Sequence, residues 1–307
     1  MKEIFPRACV PVVLLLVGSA FRGSAVAQCG PPALDHPTPH PELTVSTPWL
    51  AAHLRDSGLV IVHVESDSAA FRAGHIPGAR RADPMAFTVG DHDLPAPDAL
   101  RSLVEELGIG NANRVVLYGE TWHVGWLYVV LDRVGHGART TLLDGGLPQW
   151  RAEGRPVEAG PPPAVARATF AVKPQEVVAT TEWLRARLGS RRVAVIDVRS
   201  QEEYVAGHIP TARHLDWSRT FTRPDSALND QASLFQSASR LESLFRAAGA
   251  APGKEVVVYC TIGLRASLMY LIAKRLGYEP RFYDGSWSAW SGAGQPVATG
   301  TEPGSVR

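Results

Sequence analysis

The residues best equipped for chemistry are Cys260 and Arg265, separated by Thr261, Ile262, Gly263 and Leu264. A thiol is a weak nucleophile and a thiolate a strong one. Free backbone N–H groups at a helix start and a neighbouring cation favour the anion, and such surroundings take a cysteine pKa from about 8.5 to roughly 3.5–7.5. A loop whose amides turn inward can also hold an anionic guest or a charged sulfur. Gly263 lets the backbone turn without a Cβ penalty. Arg265 stays charged at any working pH. A lone cysteine after a strand is more often buried and inert. Here Cys, Gly and Arg fall together on one junction, which favours a functional reading.

The flanking sequence defines that junction. Val256 to Val258 is a short β-branched run without polar alternation, as suits a parallel strand buried on both faces. From Ala266 to Leu276 good helix formers dominate, basic residues fall in the last turn, and Gly277 follows. Cys260 therefore ends a strand and faces the start of a helix, the place where open α/β sheets bind ligands.

The chain carries the surrounding pattern twice. Phe71 to Arg80 (with Gly74-His75-Ile76-Pro77) matches Tyr204 to Arg213 (with Gly207-His208-Ile209-Pro210). Leu59 to Val64 matches Val193 to Val198, and Val115 to Tyr118 matches Val256 to Tyr259. Asp144-Gly145 with Trp150 matches Asp284-Gly285 with Trp290. Each copy alternates strands and helices. In the first, Ser46 or Thr47 caps a helix holding Pro48, Leu59 to Val64 is a strand, and Pro97 to Leu107 is a helix closed by Gly108. Arg114 to Tyr118 is a strand, Trp126 to Val134 a helix, and Thr141 to Leu143 a last strand. This predicts an α/β fold of two domains, each a mostly parallel sheet with helices on both faces. The expected boundaries are 43–157 for the first domain, 158–175 for a stiff Pro-rich linker and 176–300 for the second. The first copy has Gly119 to Val124 where the second has Cys260 to Arg265, so it is expected to be catalytically silent.

These features resemble the tandem-domain rhodanese sulfurtransferases, the thiosulfate and 3-mercaptopyruvate sulfurtransferase family, over about Leu43 to Pro296. The resemblance implies two rhodanese-like domains and a thiosulfate sulfurtransferase or 3-mercaptopyruvate sulfurtransferase activity. Cys260 would attack the outer sulfur of the donor and keep it as a persulfide, then pass it to cyanide or a thiol. Such covalent catalysis gives ping-pong kinetics. The N–H groups from Thr261 to Arg265 would stabilise the persulfide anion. No metal or organic cofactor is implied. The chain departs from the family at three places. Thr261 and Ile262 fit neither the basic loop of the thiosulfate enzymes nor the small polar loop of the mercaptopyruvate enzymes. Glu203 stands where those enzymes have an arginine before the aromatic residue.

Among supporting residues, Asp197 could pair with a loop arginine or only cap the next turn. Arg199 could aid anion binding, and Glu203 could hold Arg265. His75 and His208 occur in both copies, which argues for a turn-stabilising role; the same logic makes Asp284 and Trp290 structural. Trp217 falls in a segment that could line the pocket. A rival enzyme class is a cysteine phosphatase or arsenate reductase, whose cysteine and arginine commonly lie one residue further apart. A second rival is a non-catalytic sulfur-carrier or binding module.

Length and composition bound the remaining possibilities. The chain has 307 residues, enough for two ordinary domains. A net charge of +1 gives no field suited to nucleic acid or an anionic membrane. The expected partners are a small sulfur donor and a thiol or cyanide acceptor. At the amino terminus Lys2 and Arg7 precede the apolar run Val10 to Val17, and Ala25-Val26-Ala27 follows. This has the three parts of a signal peptide over 1–27, cleaved near Ala27, which implies a secreted or periplasmic protein without stable membrane association after cleavage. Residues 28–42 read as a Pro-rich leader without regular structure. Of the three cysteines, Cys9 would leave with the signal and Cys29 lies in the leader, which leaves Cys260 as the thiol inside a domain.

Overall fold

The computed structural model describes residues 38–90, 93–222 and 235–305. The expected signal peptide, most of the expected leader, Cys9 and Cys29 lie outside the described residues.

The repeat in the sequence becomes a repeat in the sheets. The first sheet contains β1 (Thr44–Val45), β2 (Leu59–Val64), β3 (Arg80–Ala82), β4 (Arg114–Gly119) and β5 (Thr140–Leu143), in the order β1-β5-β4-β2-β3. The second contains β6 (Val178–Ala179), β7 (Val193–Asp197), β8 (Arg213–His214), β9 (Glu255–Tyr259) and β10 (Glu279–Tyr283), in the order β6-β10-β9-β7-β8. Every pairing in both sheets is parallel. β9 is paired on both edges, by β10 and β7, and its side chains alternate between the largest apolar cluster (Val256, Val258) and a smaller one (Val257, Tyr259), so both faces are covered and these residues are fully buried. That accounts for their unbroken apolar run.

The helices of the first half are α1 (Thr47–His53), α2 (Ser68–Ala73), α3 (Pro97–Glu106), α4 (Thr121–Arg133) and α5 (Gly146–Ala152). Those of the second are α6 (Thr181–Arg185), α7 (Gln201–Ala206), α8 (Ala238–Ala247), α9 (Leu264–Arg275) and α10 (Ser286–Gly292). The Ser46 hydroxyl accepts the Trp49 N–H, as expected for an N-cap. Two smaller apolar clusters each belong to one half, around Leu50, Val116 and Trp150 and around Leu184, Val257 and Trp290. The largest cluster runs through both halves, from Val60 and Leu117 to Val258 and Phe282.

The two halves meet along α4 and α9. The contact is backbone to backbone at Gly125, where an added Cβ would lie 2.6 Å from the Leu268 nitrogen. Only a glycine admits so close an approach. The Ser267 hydroxyl donates to the Trp122 carbonyl across this seam. Each Asp-Gly turn also reaches across: an Asp284 carboxylate oxygen accepts the Leu94 N–H, and an Asp144 oxygen accepts the Phe235 N–H.

Two stretches read as unstructured or merely connecting are tied down. The end of the leader docks on the second half, with the His40 N–H donating to the Arg275 carbonyl and Pro41–Leu43 forming a 3-10 turn. The linker is extended, and Ala168, Lys173 and Gln175 donate backbone hydrogen bonds to Glu105, Val134 and Arg133 of the first half. Both attachments have one cause: proline lacks a donor but leaves its neighbours' N–H groups to find partners.

Candidate functional site

Cys260 lies immediately beyond the central strand of the second sheet and is 1% exposed. Its backbone is held from two sides. The Cys260 N–H donates to the Ser286 hydroxyl at 3.3 Å, and its carbonyl accepts the Trp287 N–H at 3.0 Å. The next carbonyl, of Thr261, accepts the Ser288 N–H. The first turn of α10 therefore fixes the loop. Gly263 has φ +97°, and its N–H donates to the Cys260 sulfur at 3.1 Å. This amide is the oriented donor that the sequence calls for at a charged sulfur. A Cβ at Gly263 would sit 2.8 Å from the Phe282 ring and 3.4 Å from the ring of Trp126, a residue of the first half. The α4 helix thus contributes an aromatic wall behind the loop.

Arg265 does not point freely into solution. Its two terminal nitrogens donate to the two carboxylate oxygens of Glu203 at 2.7 and 2.8 Å, a bidentate pair. One of them also donates to the Thr261 hydroxyl at 2.6 Å, and that hydroxyl donates to Glu203 at 2.9 Å. Glu203 in turn forms a capping box with Ser200 at the start of α7, accepting the Ser200 N–H at 2.9 Å. The Arg265 hydrogen bonds hold the Glu203 carboxyl far below its ordinary range, at about 2, against the opposing effect of partial burial. Burial works against the Arg265 charge, but Glu203 and the nearby Cys260 sulfur more than offset it and raise its pKa.

Asp197 and Arg199 form a separate unit. The Arg199 guanidinium donates to both Asp197 oxygens, from Nε at 3.0 and 3.2 Å and from a terminal nitrogen at 2.6 Å, and also to the Gly207 carbonyl, and it lies 4.5 Å over the Trp287 ring. Asp197 also accepts the Tyr259 hydroxyl at 2.7 Å. Both charges are buried, so the pair satisfies itself. Asp197 therefore pairs with Arg199 and not with Arg265, and the described side-chain hydrogen bonds of Arg199 go to Asp197 and the Gly207 carbonyl. Glu203 is the supporting residue that the structure brings to the loop. Ile262 and Leu264 are half-buried there and add apolar surface.

His75 and His208 take equivalent positions in their turns. Their Nδ1 atoms lie 3.0 and 2.9 Å from the carbonyls of Phe71 and Tyr204, and they stack on those rings. Trp150 and Trp290 donate to the carbonyls of Pro156 and Pro296. Trp217 packs 5.6 Å from Trp122. Sequence reasoning missed Ser286, Trp126 and the cross-half reach of Asp284. Ser286 carries a signal in retrospect: it follows Asp284-Gly285 directly, in the turn that each copy uses to close its sheet.

This geometry matches what comparison with known proteins finds. A family model described as the rhodanese-like domain matches residues 46–153 and again residues 180–293, and the chain belongs to that family. It is 36% identical over 265 residues to a thiosulfate sulfurtransferase of Pseudomonas aeruginosa, covering 81% of this chain and 93% of that one. It is 31% identical over 296 residues to the sulfur carrier protein TtuD of Thermus thermophilus, covering 86% and 99%. Among solved structures, SseA of Escherichia coli, described among the 3-mercaptopyruvate sulfotransferases, superimposes with a TM-score of 0.70 at 23% identity, covering 80% of this chain and 98% of that one. At that identity the likeness concerns the fold.

Proposed function

We propose that the protein is a sulfurtransferase that carries sulfane sulfur on Cys260, taken from thiosulfate or 3-mercaptopyruvate and passed to cyanide or a thiol. The observation that carries this reading is the Gly263 N–H directed at the Cys260 sulfur, in a loop that turns straight into α9. In the first step the Cys260 thiolate attacks the outer sulfur of the donor. A new S–S bond forms, the donor's bond to that sulfur breaks, and the electron pair leaves with sulfite or with the carbon that becomes pyruvate. In the second step the acceptor attacks the outer sulfur and Cys260 leaves as thiolate. The oriented amide stabilises the charge on sulfur at both stages, and the burial of Cys260 shields the persulfide from water.

The test is the intact mass of the protein before and after each donor, with Cys260→Ser alongside. A gain of one sulfur, removed by cyanide and absent in the variant, is the expected result. No gain with either donor would overturn the reading and turn attention to phosphate-ester hydrolysis. The sulfur-carrier relative supports a second reading of the same site, in which the acceptor is a protein thiol; persulfide that resists cyanide but transfers to a protein would favour it. We also propose export, supported by the charged, apolar and small-residue segments of residues 1–27. Amino-terminal sequencing of the protein from an exported fraction should give a chain beginning near Gln28.

A further inference from the structure

The most constrained group at the site is the loop's own cation. All of the described acceptor capacity of Glu203 faces inward: one oxygen takes an Arg265 nitrogen and the Thr261 hydroxyl, the other takes the second Arg265 nitrogen and the Ser200 N–H. Arg265 is the one cation within residues 260–265. A guest approaching Cys260 therefore meets an ion pair of zero net charge. The Thr261 hydroxyl is spent inside the same clamp, and Ile262 and Leu264 offer apolar surface. Beside the attraction of the paired Arg265 for the Cys260 sulfur, the donor left uncommitted for charge stabilisation is the Gly263 N–H. Coulomb repulsion scales with the product of charges, so a thiolate repels a dianion twice as strongly as a monoanion at the same distance.

We propose that Glu203 sets the donor class: by neutralising Arg265 it makes Cys260 take sulfur from an organic monoanion in preference to dianionic thiosulfate. This rests on the sulfurtransferase reading above. With 3-mercaptopyruvate the step balances without an outside oxidant or reductant. The Cys260 thiolate forms the S–S bond as the donor's C–S bond breaks. The electron pair goes to carbon, which takes the proton that the donor sulfur gives up, leaving pyruvate and the Cys260 persulfide. Because Glu203 stays ionised down to about pH 2, the neutralised state holds throughout the working range. In this account Glu203 is a positioning residue, acting on the donor through Arg265.

The experiment measures the rate of persulfide formation from 3-mercaptopyruvate and from thiosulfate at low ionic strength, in the wild-type protein and in Glu203→Gln. Gln keeps an acceptor for the Ser200 N–H and removes the charge. The wild type should favour mercaptopyruvate by about tenfold or more, and Glu203→Gln should shift the ratio toward thiosulfate by about tenfold, mainly through thiosulfate KM. Thiosulfate loading should become sensitive to salt in the variant only. If Glu203→Gln folds poorly by circular dichroism, Thr261→Lys adds a cation with Glu203 intact and must shift the ratio in the same direction. A wild-type preference for thiosulfate overturns the proposal, as does a ratio that neither variant moves. If neither donor loads the wild type, the sulfurtransferase reading itself falls and the proposal with it.

Discussion

From the last residue of β4 the chain runs Gly119-Glu120-Thr121-Trp122; at the matching positions, just past β9, it runs Cys260-Thr261-Ile262-Gly263. The strands before these segments occupy the same place in their sheets. What differs is how much loop survives. In the second half Gly263 takes φ +97° and the helix waits until Leu264. In the first half Trp122 stands where Gly263 does, and the helix starts at Thr121, two positions earlier in register. A tryptophan pays heavily for positive φ, so the backbone stays helical and the cradle is absorbed into α4. The same silencing extends outward. Ala70 takes the place of Glu203, so no clamp forms, and His63 with Glu65 takes the place of Asp197 with Arg199. His63 stacks on Tyr118, and burial first, then His75 and nearby arginines, lowers its pKa to about 4. The first half shares the scaffold and lacks counterparts of Cys260, Gly263, Arg265 and Glu203. Its α4 helix serves instead as the aromatic wall of its sibling's site.

The sharpest way to break this comparison is to try to move the nucleophile. Gly119 occupies the position of Cys260, but it belongs to β4, has φ +141°, and a Cβ there would lie 2.1 Å from the Val64 carbonyl oxygen. Gly119→Cys placed in a Cys260→Ser background should load no sulfur and should lose about 3–5 kcal/mol of stability, from a strained φ and a backbone collision together. Chemical denaturation and intact mass read the two effects. Sulfur loading at Gly119→Cys would mean that the first half retains a working cradle.

A milder substitution tests the surviving loop. Gly263→Ala combines φ +97° with a Cβ 2.8 Å from Phe282. It should cost about 1–3 kcal/mol and slow persulfide formation, because the amide that faces the Cys260 sulfur must shift. Equal stability with unchanged loading would remove the Gly263 N–H from the mechanism. Trp126→Phe, which relieves the wall without touching the loop, should leave most of the loading rate in place.

Much of this arrangement was legible in the residues. The twofold pattern, the strand before Cys260 and the helix after it follow from periodicity, and the parallel sheets follow from alternation. A boundary slipped where no side-chain cap marks it: α4 begins at Thr121, five residues before the apolar pattern at Trp126 becomes helical by eye, and Glu120 makes no capping bond. Pairings were harder. Nothing in the spacing of Asp197, Arg199, Glu203 and Arg265 says which acid holds which base. Asp197 and Arg199 lie two residues apart at a strand end and close on each other; Glu203 and Arg265 lie 62 residues apart and meet only once β7 and β9 are neighbours. The cross-half bonds of Asp144 and Asp284 were equally hidden, because duplication makes a residue look structural without saying to which half it is bound.

Those two aspartates provide the subtlest test of the pseudosymmetry. Burial pushes both up to about 6, with the N–H groups of Phe235 and Leu94 opposing the rise. An aspartate in an unfolded chain titrates near 4. Between the two values the folded state binds protons that the unfolded state has released, so the stability supplied by each group is full below about pH 4 and is lost as pH rises through about 6. His63 has the opposite sign: its folded pKa is depressed, so its contribution is present above about 6.5 and is lost as pH falls toward 4. The two effects overlap in one window and partly cancel in the wild type. Asp284→Asn removes one of them while retaining an acceptor for the Leu94 N–H. The advantage of the Asn variant in Tm should be near zero at pH 4, grow to a few degrees by about pH 6.5, and stay level above it. Asp144→Asn should repeat the curve from the other half. If the two variants differ in sign, the halves are not electrostatically equivalent at their seam; if neither depends on pH, both carboxylates are ionised in the folded protein and some other group must offset their burial.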